Sequence, residues 1–552
     1  MIKKIYNLTL NEVIKQYKKK SIVIITLLIF LSAIAMPFII NAIESHTTDW
    51  GTQTYTYEIQ GIDAQIASTK DTTADGKINL KFLKSEKAYN QMLLKENISL
   101  GSWQYTSANS YFNIITQIDI IELLQDGYSK DEISKFIPPN SISKDTDTIL
   151  NMSKANYNKT LEVLKSKANE IEKNIKSNNY TAYLNSLIKT KKETIALYSA
   201  SLATLKASKE KAVISKVNVL ESQINSEKQL LNVLEYRLNN KIPFNTNNHF
   251  GKENWKSNTL NDITLNIQES SNNTLVSKDA YMKKNTTKVT YDQYVTKYKN
   301  AQKIYADNIA KDWYSLKTNA PRPQFVSSAR STVNSLITTY VIIASFIVVI
   351  IAGGIVSSEF TKNTIKLLMI RPVSRFKVLL SKLLAVLVIG YFILFVSLAL
   401  ATIASGIAFG FSDLAIPTIK MSGASVISQN YILSLILNIL FYSISMIFIG
   451  TVAFTLSTIT KSTAVSVAVS IIIFVGSFPL TLYLLTKNYT WLAFTPIPYI
   501  NLTAVSMLDS FKKIFGSVVV LNSAIGAITL IITTIILLIV ALVYFMKTDI
   551  KS

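Results

Sequence analysis

This chain of 552 residues consists of long apolar runs and one large polar block, which follows the first run. Six of the runs contain no Asp, Glu, Lys or Arg, and they lie at about 21–43, 333–356, 383–409, 431–458, 464–485 and 518–545. A helix of about 20 apolar residues crosses the hydrocarbon core of a bilayer. The pattern therefore predicts a mainly α-helical, polytopic protein with six membrane-spanning helices.

The first apolar run, residues 21–43, has a competing interpretation as a cleaved signal peptide. A basic region precedes it, and Ala33-Ile34-Ala35 resembles a cleavage site. The run nevertheless continues through Phe38 to Ile43, which gives it the length of a span. We expect an uncleaved first transmembrane helix.

Residues 1–20 can form an amphipathic helix, with Ile5, Leu8 and Val13 on one face and lysines towards its end. Such a helix lies in the membrane interface. We expect a cytoplasmic interfacial helix here; the alternative is a basic flank without defined docking.

Residues 44–330 form the polar block, and no span-length apolar run interrupts it. The alternation in Thr54–Ile59 predicts a strand, the minor β element of this block. Apolar residues recurring at three and four positions within 151–239 predict an antiparallel, coiled-coil-like helical hairpin with a turn at Ser177–Asn179.

The aromatic and proline-rich stretch 489–516 predicts short interfacial or re-entrant helices between the last two spans.

The net charge of +22 is unevenly distributed. The block from Glu44 to Arg330 is nearly balanced, with 38 basic against 30 acidic residues, whereas the remainder has 19 against five. Twelve of those 19 lie in Lys3–Lys20 and Lys362–Lys382. Basic clusters beside apolar spans mark the cytoplasmic side. This places both termini in the cytoplasm of a cell-membrane protein and residues 44–330 outside, and it argues against a nucleic-acid partner.

Residue types exclude several chemistries. The chain has no cysteine and two histidines, so thiolate, disulfide and histidine-rich metal sites are not expected. The motifs of P-loop nucleotide binding, of zinc proteases and of serine hydrolases do not occur. We expect no catalytic, cofactor-binding or metal site in this chain, which is therefore not an enzyme.

The most informative stretch is the basic, amphipathic segment 358–376 between the second and third apolar runs. It begins with an acid, continues with a Thr-x-x-Leu-Leu element and ends in Arg-Pro-x-Ser-Arg. The residues that form this pattern are Glu359, Thr364, Leu367, Leu368, Arg371, Pro372, Ser374 and Arg375. Lys382 follows at the head of the third run. Held between two spans, such a helix can transmit force to them, and its apolar side can enter a partner's groove.

With its six spans, interfacial N-terminal helix and segment 358–376, the chain resembles the permease subunit of the ABC type-2 exporter family. The resemblance covers roughly Met1–Ile43 and Val333–Lys551, and it does not identify the polar block. It implies a coupling helix at 358–376 on which a separate ATPase subunit docks, with Glu359, Thr364, Leu367, Leu368, Arg371, Pro372 and Arg375 as ATPase-coupling residues. It also implies a second permease copy, identical or similar, and ATP bound only by the partner subunit.

The function implied is ATP-driven export of an amphipathic or hydrophobic cargo: a peptide, an antimicrobial, a lipid or a drug. Two alternatives stay open. One is a permease-like scaffold or receptor, of the secretion-accessory or phage-adsorption type, without an ATPase. The other is an immunity permease whose external domain senses an antimicrobial.

Overall fold

The computed structural model describes residues 2–45, 50–100, 102–139, 144–207, 214–244, 251–284, 289–361, 374–514, 517 and 519–547. The chain divides into two compact units. The membrane unit comprises Met1–Ser45 and Asn273–Ser552, and the insert unit comprises His46–Asn272. Both are helical, and each is described by itself.

The membrane unit begins with two helices, α1 (Ile2–Tyr17) and α2 (Lys20–Ser45). After the insert unit come α12 (Lys278–Lys284), α13 (Tyr291–Thr318), α14 (Ala329–Ile355), α15 (Ser357–Thr361), α16 (Arg375–Phe409), α17 (Tyr431–Thr460), α18 (Thr463–Thr486), α19 (Val505–Ile514) and α20 (Ser523–Lys547). The helix predicted for residues 1–20 is thus present as α1.

Six helices among the described residues are long and apolar enough to span a membrane. They cover Lys20–Ile43, Ala329–Thr361, Arg375–Phe409, Tyr431–Thr460, Thr463–Thr486 and Ser523–Lys547. Each coincides with a predicted apolar run to within a few residues, apart from polar extensions such as Arg375–Lys382. The six predicted spans are confirmed as helices of spanning length and composition.

Side-chain caps and turns set several helix ends. Ser328 starts α14 with a capping box that includes Ser331, and the side chain of Ser462 accepts a hydrogen bond from the amide of Val465 to start α18. Lys461 adopts the left-handed conformation, with φ 54°, between α17 and α18. A one-residue reversal of this kind explains how Thr460-Lys461-Ser462 suffices to join two spans.

The core of the membrane unit is centred on α14, which packs on α16, α17 and α18. A Cβ atom added to Gly450 of α17 would lie 2.4 Å from Val348 Cγ1, and one added to Gly390 of α16 would lie 2.5 Å from Val348 Cγ2. Val348 therefore fits into a slot formed by two glycines. Gly353 likewise approaches Val467 of α18, where an added Cβ would lie 2.6 Å from Cγ2. Close packing is thus the role of Gly353.

A β-hairpin between α16 and α17 was not predicted. Strands β1 (Thr418–Ser422) and β2 (Ser425–Gln429) pair antiparallel, with Thr418 opposite Gln429 and Ser422 opposite Ser425. Gly423, with φ +62°, lies in the two-residue connection, where this conformation favours glycine. The hairpin contacts α13, which belongs to the membrane unit although the sequence assigned it to the polar block.

Short helices occupy the predicted interfacial stretch 489–516. Three 3₁₀ turns, at Thr490–Phe494, Ile497–Tyr499 and Leu502–Ala504, precede α19. Tyr499 is fully buried, and its hydroxyl donates a hydrogen bond to the carbonyl of Ala493 at 3.0 Å. Its ring lies against Gly526, where an added Cβ would lie 2.2 Å from Cδ1. The stretch is therefore packed against α20 by an aromatic anchor.

The insert unit is helical in all its described elements. Its helices are α3 (Trp50–Ser68), α4 (Ala74–Lys95), α5 (Trp103–Gln125), α6 (Lys130–Ser134), α7 (Lys144–Leu150), α8 (Tyr157–Lys176), α9 (Tyr180–Ala207), α10 (Ile214–Asn239) and α11 (Trp255–Asn272). The strand predicted for Thr54–Ile59 is wrong, because these residues lie inside α3. Tyr55 is buried within a helical cluster, so tertiary packing overrides the β propensity.

The region 151–239 contains three helices rather than two arms. The first predicted arm is α8, and the predicted second arm is divided into α9 and α10. Ion pairs between Lys191 and Glu227, and between Lys206 and Glu221, show that α9 and α10 run antiparallel. The Asn-rich stretch Lys241–Thr274, with Pro243 and Gly251, predicts a loop. That prediction is wrong, because α11 lies within this stretch and its buried Leu260, Ile263 and Ile267 recur with helical spacing.

Candidate functional site

Four charged side chains from three separate helices meet at one end of the membrane unit. Glu12 and Lys15 come from α1, Glu359 comes from α15, and Lys382 comes from the first turns of α16. We call these four residues the charge network. Glu12 and Lys15 are three positions apart, so a helix presents them on one face.

Lys382 is the central residue of the charge network. Its Nζ lies 2.9 Å from Oε1 of Glu12 and 3.1 Å from Oε1 of Glu359. Lys15 Nζ also pairs with Oε1 of Glu359. The exposed fractions are 2% for Lys382, 3% for Glu359 and 13% for Glu12, whereas Lys15 is 52% exposed. The network thus has a buried centre and one lysine at its rim.

The charges of the network balance, with two carboxylates against two ammonium groups. Removing ions from water is costly, and a buried pair is tolerated only when each ion keeps a close partner. Oε2 of Glu12 and the hydroxyl of Tyr17 are nevertheless buried without a hydrogen-bond partner among the described residues. The network therefore holds α1 against α15 and α16, and the close contacts among its ions offset part of the cost of removing them from water.

α15 is also tied to the connection between the fourth and fifth spans. The amide of Ser357 donates to Oγ of Ser457 at 3.0 Å, and Oγ of Ser357 lies 2.6 Å from Oγ1 of Thr463. The ammonium of Lys461 lies 5.0 Å from the centre of the Phe360 ring, a cation–π distance. α15 therefore contacts α17 and α18 through polar bonds and contacts α1 and α16 through Glu359.

The structure describes two of the seven predicted coupling residues. Glu359 lies in the charge network, and Nη1 of Arg375 donates to the carbonyl of Met546 at 3.1 Å. Arg375 thereby joins the start of α16 to the end of α20. The other five lie outside the described residues: Thr364, Leu367, Leu368, Arg371 and Pro372.

Sequence reasoning did not assign Glu12 and Lys15 to this site. The available signal was a single acid, Glu12, in an N-terminal segment that otherwise carries only basic charges. An acid in such a segment suggests a specific basic partner. Its partner lies 370 positions away, so no local pattern could have identified it.

The fold and site define a multi-pass membrane protein whose helix bundle carries a buried charge network at one end. Residues 314–551 match a family model described as "Protein of unknown function (DUF2705)". The chain is 32% identical over 253 residues to the "Uncharacterized protein YhcI" of Bacillus subtilis (strain 168), a match covering 45% of this chain and 77% of that protein. The chain belongs to the same family as that protein. No solved structure matches it.

Proposed function

We propose that this chain is the permease subunit of an ATP-binding cassette exporter. In this proposal a separate ATPase subunit docks on the coupling segment 358–376, and two permease copies form the transport path. The cargo is amphipathic or hydrophobic: a peptide, an antimicrobial, a lipid or a drug. Both termini lie in the cytoplasm, and residues 44–330 lie outside the cell.

The observation that carries the proposal is the charge network at the entrance to the coupling segment. Glu359 lies at the start of that segment and is held by Lys382 of α16 and by Lys15 of α1. Arg375 lies near the end of the segment and is bound to the end of α20. Both ends of the segment are thus fixed to candidate spans, so a push from a docked subunit would move several spans together.

The composition of the spans supports an external energy source. The six apolar runs contain no Asp, Glu, Lys or Arg. Pumps and secondary transporters that use ion gradients usually place ionisable residues within their spans. The chain also lacks a P-loop. An ATPase on a partner subunit is consistent with both features.

The test is co-expression of the full-length tagged chain with a P-loop ATPase encoded by a neighbouring reading frame. The complex is purified in detergent and reconstituted in liposomes, and the bound ATPase and the rate of ATP hydrolysis are measured. We expect Leu368→Glu, which places a charge on the apolar docking side, to reduce the bound ATPase by at least about tenfold. Glu359→Ala combined with Arg375→Ala should reduce the ATPase rate.

The matched control is Asp292→Ala combined with Lys303→Ala, which removes one acid and one base from exposed positions of α13. This variant should bind the ATPase and support hydrolysis like the wild type. If no P-loop ATPase binds the wild-type chain, the exporter proposal is wrong and the scaffold alternative takes its place. If Leu368→Glu binds normally, the docking segment is misassigned.

A further inference from the structure

The insert unit contains a cavity of about 450 Å³ between α3, α4 and α5. Its size falls within the range of small-molecule sites, about 300–1,000 Å³. Four of its lining residues are aromatic and two are acidic, and no Lys or Arg lines it among the described residues. The cavity therefore combines negative charge with aromatic surface.

The two acids come from different helices and face the same space. Glu58 lies on α3 and Glu86 on α4, and both line the cavity. Burial, and then the charge of Glu58, raise the pKa of Glu86 above its usual range. Two carboxylates thus repel each other across a cavity that none of the described lysine or arginine side chains lines. A bound cation would relieve this repulsion.

The aromatic side chains are held in place by their own contacts. The Tyr89 ring stacks on Phe112 with the ring centres 4.8 Å apart, and the Tyr89 hydroxyl donates to Oδ1 of Asn109. The Tyr55 hydroxyl donates to the carbonyl of Ile98 at 3.0 Å. Because these rings are already fixed, binding a ligand against them costs little side-chain entropy. A cation within about 6 Å of a ring face is attracted to it.

A buried, unpaired hydrogen-bond acceptor provides a further, independent sign of a ligand. Asn90 is 3% exposed and lines the cavity. Its Nδ2 donates to the carbonyl of Glu86 at 3.1 Å, but its Oδ1 is buried without a partner among the described residues. A buried acceptor left unpaired is destabilising, because it has lost its hydrogen bonds to water. A ligand with an N–H donor would remove that cost.

We propose that this cavity binds a protonated primary amine carried on an aliphatic chain. The ammonium group pairs with Glu58 and Glu86, donates an N–H to Asn90 Oδ1 and packs its methylene groups on the aromatic rings. A free diamine and a lysine side chain of a cationic peptide share this chemistry. The inference does not depend on the proposed function, because it concerns the insert unit alone and needs no ATPase.

Isothermal titration calorimetry of the full-length protein in detergent tests the proposal with cadaverine as the probe. Wild type should bind cadaverine saturably and should not bind the uncharged analogue 1,5-pentanediol. Glu58→Gln with Glu86→Gln should weaken binding by roughly tenfold to a hundredfold, the effect of losing charge-assisted hydrogen bonds. Glu162→Gln with Glu193→Gln removes two exposed acids away from the cavity and should leave binding unchanged.

The role of Asn90 has a separate readout. Pentamethonium carries the charges of cadaverine without an N–H donor. Wild type should prefer cadaverine over pentamethonium by at least about tenfold, and Asn90→Leu should reduce this preference, because it removes one of the three acceptors of the ammonium N–H groups. Titration of N-acetyl-lysine amide and of a lysine-rich peptide against cadaverine then distinguishes a peptide side chain from a free amine as the ligand.

The wild-type measurements alone can overturn the proposal, so the test does not depend on whether the variants fold. It is wrong if wild type shows no saturable heat with cadaverine, or if 1,5-pentanediol binds equally well. It is also wrong if the Glu58 and Glu86 variant, shown by circular dichroism to be folded, binds as tightly as wild type. Failure here leaves the exporter proposal untouched, and failure of ATPase binding leaves this one untouched.

Discussion

The Nζ atom of Lys382 lies 3.1 Å from Oε1 of Glu359, and both side chains are almost fully buried. These residues stand at the two sides of the coupling segment, one just after its end and one near its start. Their pairing brings the ends of the second and third candidate spans together. It also gives α1 a fixed position, because Glu12 binds the same ammonium group.

Replacing Lys382 by methionine should strongly destabilise the membrane unit. The substitution leaves two carboxylates at the site, one of them without a basic partner, and breaking a buried pair in this way costs about 3–5 kcal/mol. We expect the temperature at which the detergent-solubilised protein loses its monodisperse gel-filtration peak to fall clearly below that of the wild type.

Removing the whole buried charge set should recover much of that loss. In Glu12→Gln/Glu359→Gln/Lys382→Met no unpaired charge stays buried, so the peak should persist to a higher temperature than in the single variant. Lys15→Met should have a smaller effect, because Lys15 is 52% exposed. A single Lys382→Met variant as stable as wild type would show that the network does not hold these helices.

The glycine slot around Val348 gives a second prediction. Gly450→Ala places a methyl group 2.4 Å from Val348 Cγ1, a distance that forces the helices apart. Overpacking of this kind costs typically about 1–3 kcal/mol. The variant should lose its monodisperse peak at a lower temperature than wild type.

Gly476→Ala is the matched control, because an added Cβ there meets no atom of the described residues within 4 Å. It should be neutral or slightly stabilising, since alanine favours helix over glycine. Adding Val348→Ala to Gly450→Ala should restore part of the stability by vacating the space. If Gly450→Ala and Gly476→Ala behave alike, the slot is not tightly packed.

The sequence predicted the spans well and the tertiary site poorly, for physical reasons. Whether a segment can span a membrane is a local property of the sequence, because an uncharged apolar run of about 20 residues has to be removed from water whatever its neighbours are. The charge network is not local: Glu12 and Lys382 meet only through the packing of α1 on α16. Glu359 was found because it belongs to a local pattern, whereas Lys15 was not distinguished from the other lysines of the N-terminal segment.

The insert unit was the least predictable part. Thr54–Ile59 alternates like a strand, yet Tyr55 packs inside a helical cluster with Leu93 and Ile98. Alternation over six residues is weak evidence when an aromatic residue can be buried by either structure. The β1–β2 hairpin was missed for a different reason, since its strands are only five residues long and β2 carries polar residues on both faces.

Asp119 in α5 should make the stability of the insert unit depend on pH. Burial raises the pKa of Asp119 to about 6 from 3.8, even though Ser85 Oγ donates to its Oδ2 at 2.6 Å. The folded state holds this proton more tightly than the unfolded state. The contribution of protonated Asp119 to the free energy of unfolding is therefore fully present below about pH 4. It is lost as the pH rises to about 6, and the change amounts to about 3 kcal/mol.

Asp119→Asn removes this titration while keeping a hydrogen-bond acceptor for Ser85. We expect the variant to show stronger hydrogen–deuterium exchange protection than wild type over α4 and α5 at about pH 7, with little difference at about pH 4.5. Burial alone would raise the pKa of the neighbouring Glu122, but the hydrogen bonds and charges of Lys165 and Lys81 outweigh it and lower that pKa, an effect of opposite sign. The wild-type minus variant difference at each pH isolates Asp119, and a difference that does not vary with pH would contradict the assignment.

Arg330, which is fully buried at the start of α14, should be indispensable for the position of the β1–β2 hairpin. Its Nη1 donates to the carbonyls of Ile416 and Pro417, both at 3.2 Å, and its Nη2 donates to the carbonyl of Pro321 at 2.6 Å. One planar guanidinium thus joins the loop before α14 to the loop before β1. A lysine ammonium lacks this fork and cannot reach both loops with the same geometry.

We therefore expect Arg330→Lys to increase amide exchange across Thr418–Gln429 markedly, and Arg330→Met to increase it further by leaving three carbonyls unpaired. Arg322→Lys is the control, because Arg322 pairs with the single carboxylate of Asp312 through one Nη atom, a contact that lysine can replace. Exchange in the hairpin should change little in that variant. Equal exchange in Arg330→Lys and wild type would show that the charge alone, rather than the two-armed geometry, holds the hairpin.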